Sequence, residues 1–486
     1  MDLKSLPDMD NIKRTALLFA VIVIEGYVVL ATELLAIREV VPYAGSGTDT
    51  VSIIIAAVLM PLAFGYYNGG QFKPYIDTHG RYVGIRRKLI FNIMTSMMIL
   101  AMGLSYVGIN IFFTTLIASG LNHRLLMCAA YCAIFLVTPI YLLGQTIPLI
   151  SNYFGKEKLS RITGRILFLS TMGSFMGATF STLVLMSTVG VHNTVSLNLV
   201  LLAILVILLS KNKLSESVLY AFGIAIVTIM INSGTVIGAF DIVENNQYNT
   251  VMIRKDSNGG RHLLLNDMGS SMYNPETGQK HFYIEFLEQK LIEPVRATGK
   301  PKEFLIIGAG AFTFGLEDTV NHYEYVDIDS SLQKIAEEHV IMQKLGENKK
   351  FTPMEARAFL RGTKKKYDVI VLDAYLGDVT IPEHLVTQDF YRQVKDHLTD
   401  QGIVAMNVIV SPSFSTPFSR HLDNTIRSVF PYVSRHVIFE DYGLWSSDPD
   451  QKANVIYLYR RQPDENDKEI YTDNLNRIFY DKPQKK

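Results

Sequence analysis

Cysteine and tryptophan are nearly missing from this chain, which has two of the first and one of the second in 486 residues. The cysteines, Cys128 and Cys132, lie four apart inside one apolar segment, on one helix face. That excludes a disulfide framework, and two cysteines alone inside an apolar segment argue against a metal site. No cysteine follows residue 132, so the redox compartment leaves no mark. Net charge is missing too, because 46 Lys and Arg balance 46 Asp and Glu. With no basic stripe in the polar half, this argues against non-specific nucleic-acid binding. Charge of either sign is scarce: charged residues make up 19% of the chain and hydrophobic ones 48%. Soluble domains carry about 25% charged residues. The balance puts part of this chain in a bilayer.

The apolar residues are concentrated before residue 240. Long segments recur at about 15–40, 50–70, 89–118, 125–150, 163–188, 193–210 and 215–239, each near the 20 or so residues that span a hydrocarbon core. About seven membrane helices are therefore expected over 1–239. A buried soluble helical domain is the weaker reading, since soluble helices rarely stay apolar on every face. The first 14 residues are polar and lack the layout of a cleavable signal. In the fifth segment Gly173, Gly177 and Ala178 share a face suited to close helix packing. Two acids in the first segment, Glu25 and Glu33, also share a face, with Arg38 and Glu39 at its end. They line a polar cavity or cation path, or else pair between helices, with Arg165 as one partner.

Basic residues fall on one set of loops. The N-terminus and the second, fourth and sixth loops carry fourteen, from Lys4 to Lys213, against Arg38 and Arg124 in the others. The positive-inside rule puts the N-terminus in the cytoplasm, and seven crossings then put the C-terminal half outside. A domain using a cytosolic nucleoside belongs inside. The two arguments pull in opposite directions.

From about residue 240 the pattern turns polar and alternating. Residues 250–254 and 262–265 read as a hairpin around Gly259-Gly260, followed by a helical stretch at 281–296. Strands are then expected at 303–307, 323–327, 368–373, 402–408 and 454–459. Helices are expected at about 313–320, 330–344, 355–363, 384–398 and 417–429. The alternation predicts a doubly wound, largely parallel α/β sheet over 301–486, behind a hairpin and linker region over 240–300. Its ligands bind where strands end. The first strand runs into Gly308, Gly310 and Gly315, and the second ends at Asp327, nineteen residues after Gly308. That is half of a nucleotide-binding βαβ unit, with the third glycine displaced. Glu355 and Asp373 also stand at expected strand ends. Asp373 closes the run DVIVLD beside a loop with Gly377 and Pro382. It is placed to take a proton from a substrate, or to cap its own loop.

The segment EARAFLRGTKKKYDVIVLDAYLGDVTIPEHLVTQDFYRQVKDHLTDQGIVAMNVI closely resembles the spermidine synthase-like domain of membrane-fused aminopropyltransferases. The likeness runs upstream through YVDID and IIGAGAFTFG to HFYIEFLE. More loosely, it covers EGYVVLATELLAIREVVPYAG, PLAFGYYNGGQF and GRILFLSTMGSFMGATFSTLVLMSTVGV in the membrane half.

The resemblance implies a Rossmann-like domain of the S-adenosylmethionine-dependent methyltransferase type, behind a multi-pass helical domain. It implies transfer of a 3-aminopropyl group from decarboxylated S-adenosylmethionine to an amine such as putrescine, releasing methylthioadenosine. No cofactor is bound permanently; the donor, decarboxylated or intact, is a co-substrate. Carried over by position, Asp373 is the base and Asp327 holds the ribose. Gly308 and Gly310 form the loop, Glu355 and Ala356 stand near the adenine, and Tyr283 lines the amine pocket. Asp378 replaces a second acid of the substrate loop at a changed spacing. Two anchors depart from the family: Ala311 stands where an ammonium-binding Asp is expected, and Ser270-Ser271 where a glutamine is expected. The partners implied are a lipid bilayer and a small amine, with a homodimer allowed and no nucleic acid. Two alternatives stand beside this reading. One is a methyltransferase of the same fold. The other is a polyamine transporter or sensor whose nucleoside-binding domain does not turn over.

Overall fold

The structure, a computed structural model, describes residues 11–45, 47–152, 159–296, 299–375, 381–438 and 452–461. The chain divides into two compact units. One is built on Met1–Arg254; the other is built mainly on Ser270–Tyr375 and Ile381–Lys486.

Among the described residues of the first unit six helices are long and apolar enough to cross a membrane: Thr15–Ala44, Thr48–Gly70, Arg124–Ser151, Ile162–Thr188, Val191–Leu209 and Glu216–Gly238. The expected 89–118 segment is a bent pair, Ile85–Gly103 and Tyr106–Ala118, turning by 65°; counted as one span it makes seven. Ser105 sits at the bend, its hydroxyl donating to the Ala101 carbonyl at 2.6 Å and accepting from Asn232 at 2.9 Å. Those bonds serve polar groups that the broken helix would otherwise strand. Two short strands, β1 (Tyr75–Ile76) and β2 (Tyr82–Val83), pair antiparallel before it. The first helix packs on Leu159–Phe180 through the small residues expected to do so. A side chain at Gly173 or Gly177 would overlap the carbonyl of Val23 or Tyr27, so the two backbones touch. The expected pairing of Glu25 with Arg165 does not form: Glu25 is buried, and Arg165 is exposed.

The chain then makes β3 (Ile242–Asn245), β4 (Thr250–Lys255), β5 (Arg261–Leu265) and β6 (Met268–Tyr273). The turn after β4 is closed by Asp256, whose side chain accepts from the amides of Asn258 and Gly260 at 2.8 and 2.9 Å. The expected linker helix is two pieces, Phe282–Leu291 and Glu293–Arg296.

The second unit holds a seven-stranded sheet. Its strands are β7 (Glu303–Ile307), β8 (His322–Asp327), β9 (Lys349–Pro353), β10 (Tyr367–Leu372), β11 (Leu398–Val410), β12 (Ser434–Ile438) and β13 (Ala453–Arg460). The order is β12-β13-β11-β10-β7-β8-β9. Neighbours from β9 to β11 run parallel, and β13 is antiparallel to both β11 and β12. Leu305, Ile306 and Ile307 of β7 are buried, each contributing roughly 1.5–3 kcal/mol before entropy is counted. Helices Ala356–Gly362, Gln388–Asp396 and Pro417–Val429 follow, capped at their starts by Glu355, Thr387 and Thr416.

Three expectations change here. No helix forms over 313–320; the segment is turns. Asp318 explains this: its carboxylate accepts from the amide of Val320, the side-chain amide of Asn321 and the hydroxyl of Tyr323, local bonds that compete with a helix. The helix expected over 330–344 shrinks to Leu332–Ile335 and a wide turn at Ala336–Val340. Strands β9 and β12 were unexpected. Both are edge strands with polar sequences, KKFTP and SRHVI, which blunt an exposed edge and hide the strand signal.

Candidate active site

The chain leaves β7 for β8 on one side and returns to β10 on the other. The strand order reverses there, opening the crevice in which such sheets bind ligands. Gly308 follows β7 and Asp373 follows β10. The amide of Asp373 donates to the Ile307 carbonyl at 2.8 Å, continuing the ladder. Gly308 has φ of 94°, and a Cβ there would overlap the Asp373 carbonyl. Only glycine suits that conformation and that approach.

Both oxygens of Asp373 are held. Tyr283, from the helix after the hairpin region, donates its hydroxyl to Oδ2 at 2.9 Å. Asn407, on β11, donates its side-chain amide to Oδ1 at 2.8 Å. Asn407 is buried, and its own Oδ1 accepts no hydrogen bond from the described residues. Tyr375 ties the same strand to the loop: its hydroxyl donates to the Asn407 carbonyl at 2.8 Å and accepts the Ile409 amide at 3.0 Å. Burial first, then the Asp373 charge, keep the Tyr375 phenol protonated well above its ordinary range.

Asp327 ends β8 facing the glycine loop. Its Oδ2 accepts the Ala309 amide at 3.0 Å and its Oδ1 the Asp329 amide at 3.1 Å. The residue is half-buried. That burial pushes its pKa up to about 6, against the pull of the two amides. Three more of the loop's amides are engaged within the protein. Ala311 donates to Ser271 Oγ at 3.0 Å, Phe312 to the Ala309 carbonyl at 2.9 Å, and Gly315 to Glu288 at 2.7 Å. Ser271 Oγ also fills the space that a side chain at Gly310 would take. Ala311 and Phe312 are fully buried, Phe312 edge-on to Tyr325 and Phe351.

Glu355 does something that the spacing alone does not announce. Its carboxylate accepts the amides of Arg357 and Ala358 at 2.9 and 2.7 Å, capping the helix that begins at Ala356. His384 lies 3.2 Å away. Burial raises its pKa, but the two amides and His384 outweigh it and leave the group below its ordinary value. Asp378 and Gly377 lie outside the described residues.

Of the sequence candidates, the structure thus brings Tyr283, Gly308 and Asp373 together, and joins Asp327 to the same loop. Asn407 was missed. Its one sequence signal is a polar residue interrupting the apolar run of β11. A small cavity beside it is lined by Ile307, Leu372, Ile381, Leu385 and Tyr391.

Sheet and site define a doubly wound α/β domain with acids at the strand ends of its switch point. Residues 285–439 match the family described as "Spermine/spermidine synthase domain". This part of the chain belongs to the spermidine synthase-like family. A polyamine aminopropyltransferase of Vibrio vulnificus is 35% identical over 168 residues, which cover 32% of this chain and 54% of that protein. One from Saccharolobus solfataricus is 28% identical over 216 residues, 42% of this chain and 68% of its own. The chain thus spans little more than half the length of the Vibrio relative. Among solved structures, a probable spermidine synthase from Corynebacterium glutamicum aligns at 18% identity with a TM-score of 0.38, covering 47% of this chain and 80% of its own. The spermidine synthase of Thermotoga maritima gives 18% and 0.35, covering 45% and 71%.

Proposed function

We propose that the chain is a membrane-embedded aminopropyltransferase. It moves a 3-aminopropyl group from decarboxylated S-adenosylmethionine to a small amine such as putrescine. The observation that carries this is Asp373, a strand-end carboxylate fixed on both oxygens by Tyr283 and Asn407. The amine nitrogen attacks the carbon bound to the sulfonium sulfur. The new N–C bond forms as the C–S bond breaks, its electron pair passes to sulfur, and methylthioadenosine leaves. The ammonium proton passes to Asp373. Because the leaving group is a neutral thioether, alignment and one base suffice. Asp327 accepts the ribose hydroxyls, and Glu355, committed to its helix, shapes the adenine end.

The bilayer is part of the reading. Six long apolar helices and the bent pair support it. Residues 245–250 meet the far end of the first helix, where Arg38 donates to the Asn246 carbonyl at 2.7 Å and to Asn245 and Thr250 at 3.0 Å. If the bent pair crosses as one span the count is seven and the C-terminal half faces away from the cytoplasm; if it does not, the count is six and that half lies on the cytoplasmic side, with the nucleoside donor.

Purified protein, decarboxylated donor and a panel of amines test the activity by release of methylthioadenosine. Asp373→Asn should reduce turnover about 10²–10⁴-fold, the range of a general base, with donor binding kept. No product with any amine, or full activity in the variant, overturns the reading. One observation favours a second reading, an intact S-adenosylmethionine donor: Ala311 is buried and apolar where a donor ammonium would want a carboxylate. Calorimetry with both donors decides, since tighter binding of the carboxylated form supports the methyltransferase.

A further inference from the structure

The first helix, Asn11–Ala44, carries Glu25, Thr32 and Glu39 at intervals of seven residues, so all three share one face. They are 1%, 0% and 2% exposed. At 1.5 Å per residue the row is roughly 21 Å long, against a hydrocarbon core of about 30 Å. Helix Val191–Leu209 adds two polar side chains to it. Asn198 donates to Thr32 Oγ1 at 3.0 Å, and His192 Nδ1 lies 3.9 Å from Glu39 Oε1.

Side chains that merely lock helices together satisfy one another. These do not. Glu25 Oε2, Asn198 Oδ1, Glu39 Oε1 and His192 Nδ1 are buried, with no hydrogen-bond partner among the described residues. The His192 end is nevertheless ordered. Arg38 can only donate, so Asn245 turns its oxygen to Arg38 at 3.0 Å and its amide to His192 Nε2, also at 3.0 Å. Nε2 must then accept, and the neutral ring carries its proton on Nδ1, toward Glu39. The Arg38 charge beside this pair repels an added cation. Among the described residues no three acidic, His or Cys side chains gather to hold a metal ion. Other groups packed around the row are Ser174, bonded to the Gly26 carbonyl, and Tyr106, edge-on to His192.

We propose that this row is a proton path through the helical unit, with Glu25 and Glu39 as the carboxyls that load and release. The Glu25 O–H gives its proton toward the Thr32 hydroxyl, which passes one on as it receives one. The Glu39 carboxylate takes it, and the His192 Nδ1–H stabilises the ionised form of Glu39. Water entering the row bridges each two-turn interval. Glu33, eight residues from Glu25, is off this face.

The path rests on the membrane reading, and the test separates the two. The full-length protein is reconstituted into liposomes holding a pH-sensitive dye, and a potassium diffusion potential is imposed. Flotation after an alkaline wash reports insertion. Dye acidification above protein-free vesicles is expected, reduced at least tenfold in Glu25→Gln and in Glu39→Gln and unchanged in Glu33→Gln. A hydrophobic carbodiimide, which attacks protonated carboxyls in apolar surroundings, should label Glu25 of the unaltered protein, as read by peptide mass. Failure to insert overturns the membrane reading and the path with it. Insertion without flux, flux indifferent to both Gln variants, or an unlabelled Glu25 overturns the path alone.

Discussion

Lowering the pH from 7 to 5 should weaken donor binding about tenfold through Asp327. The carboxyl of this residue has its pKa raised from the ordinary 3.8 to about 6 by burial. On the proposed reading ribose hydroxyls donate to the ionised form, so only that form binds well. About ten in eleven molecules carry it at pH 7, and about one in eleven at pH 5. The apparent Kd scales with the inverse of that fraction. At pH 6 binding should release about half a proton, falling toward zero at pH 8. Calorimetry in buffers of different ionisation enthalpy measures both. The same shift has a stability consequence. A fold that raises an acid's pKa favours its neutral form. Its contribution is therefore fully present below about 3.8 and lost as the pH rises through about 6, a loss on the order of 3 kcal/mol. Asp327→Asn should accordingly be no less stable than the parent at pH 7 while binding donor weakly at every pH. A Kd that stays flat from pH 5 to 8, or an Asn variant that keeps the parent's slope, would refute the reasoning.

Tyr283→Phe removes a hydrogen bond to a charged group, worth about 1.5 kcal/mol or more. Steady-state kinetics should show kcat/KM for the amine down about tenfold with donor Kd unchanged; parental kinetics would mean the contact is incidental. Gly308→Ala forces a positive φ of 94° on an L residue and drives its Cβ into the Asp373 carbonyl. The first effect costs about 1–2 kcal/mol and the second about 1–3. Thermal unfolding should drop measurably and donor binding disappear; an unfolding temperature like the parent's would show that the loop yields. For orientation, seven spans make a C-terminal alkaline phosphatase fusion active and a green fluorescent protein fusion dark in bacterial cells. The reverse pattern puts the domain in the cytoplasm.

What the sequence made legible has a physical pattern. Strands β7, β8 and β10 stood out because they are buried on both faces, and such strands read as unbroken apolar runs. Asp373 and Gly308 were visible as the residues that end those runs. Strands β9 and β12 were not, because an edge strand needs only one apolar side and is safer when polar. The helix expected over 313–320 was lost to Asp318, whose bonds to Val320, Asn321 and Tyr323 have no periodic signature. Contacts between distant residues left no trace at all: Ser271 on Ala311, Asn407 on Asp373, and Arg38 on Asn245. In the first helix the eye falls on Glu25 and Glu33, an approximate face-sharing pair. Burial and bonding instead single out the row through Glu25, Thr32 and Glu39.

The glycine loop shows most clearly why geometry had to be added to spacing. Two glycines, a strand and a distant acid describe a pyrophosphate cradle as well as a nucleoside site. A cradle needs backbone amides aimed outward at an anion. Here the amides of Ala309, Ala311, Phe312 and Gly315 are spent on Asp327, Ser271, Ala309 and Glu288. The charged groups described at the carboxyl ends of β7, β8, β9 and β10 are Asp327, Asp329, Glu355 and Asp373, all acidic. A pyrophosphate placed there would meet four carboxyl groups and a loop with these four amides already engaged. On the proposed reading, a sulfonium carrying an adenosine meets the opposite: Asp327 as ribose acceptor, a field that favours its positive charge, and Asp373 as base. As the charge on sulfur is discharged during transfer, that field holds the substrate more than the product. The same acids that recruit a cationic donor therefore help release a neutral thioether.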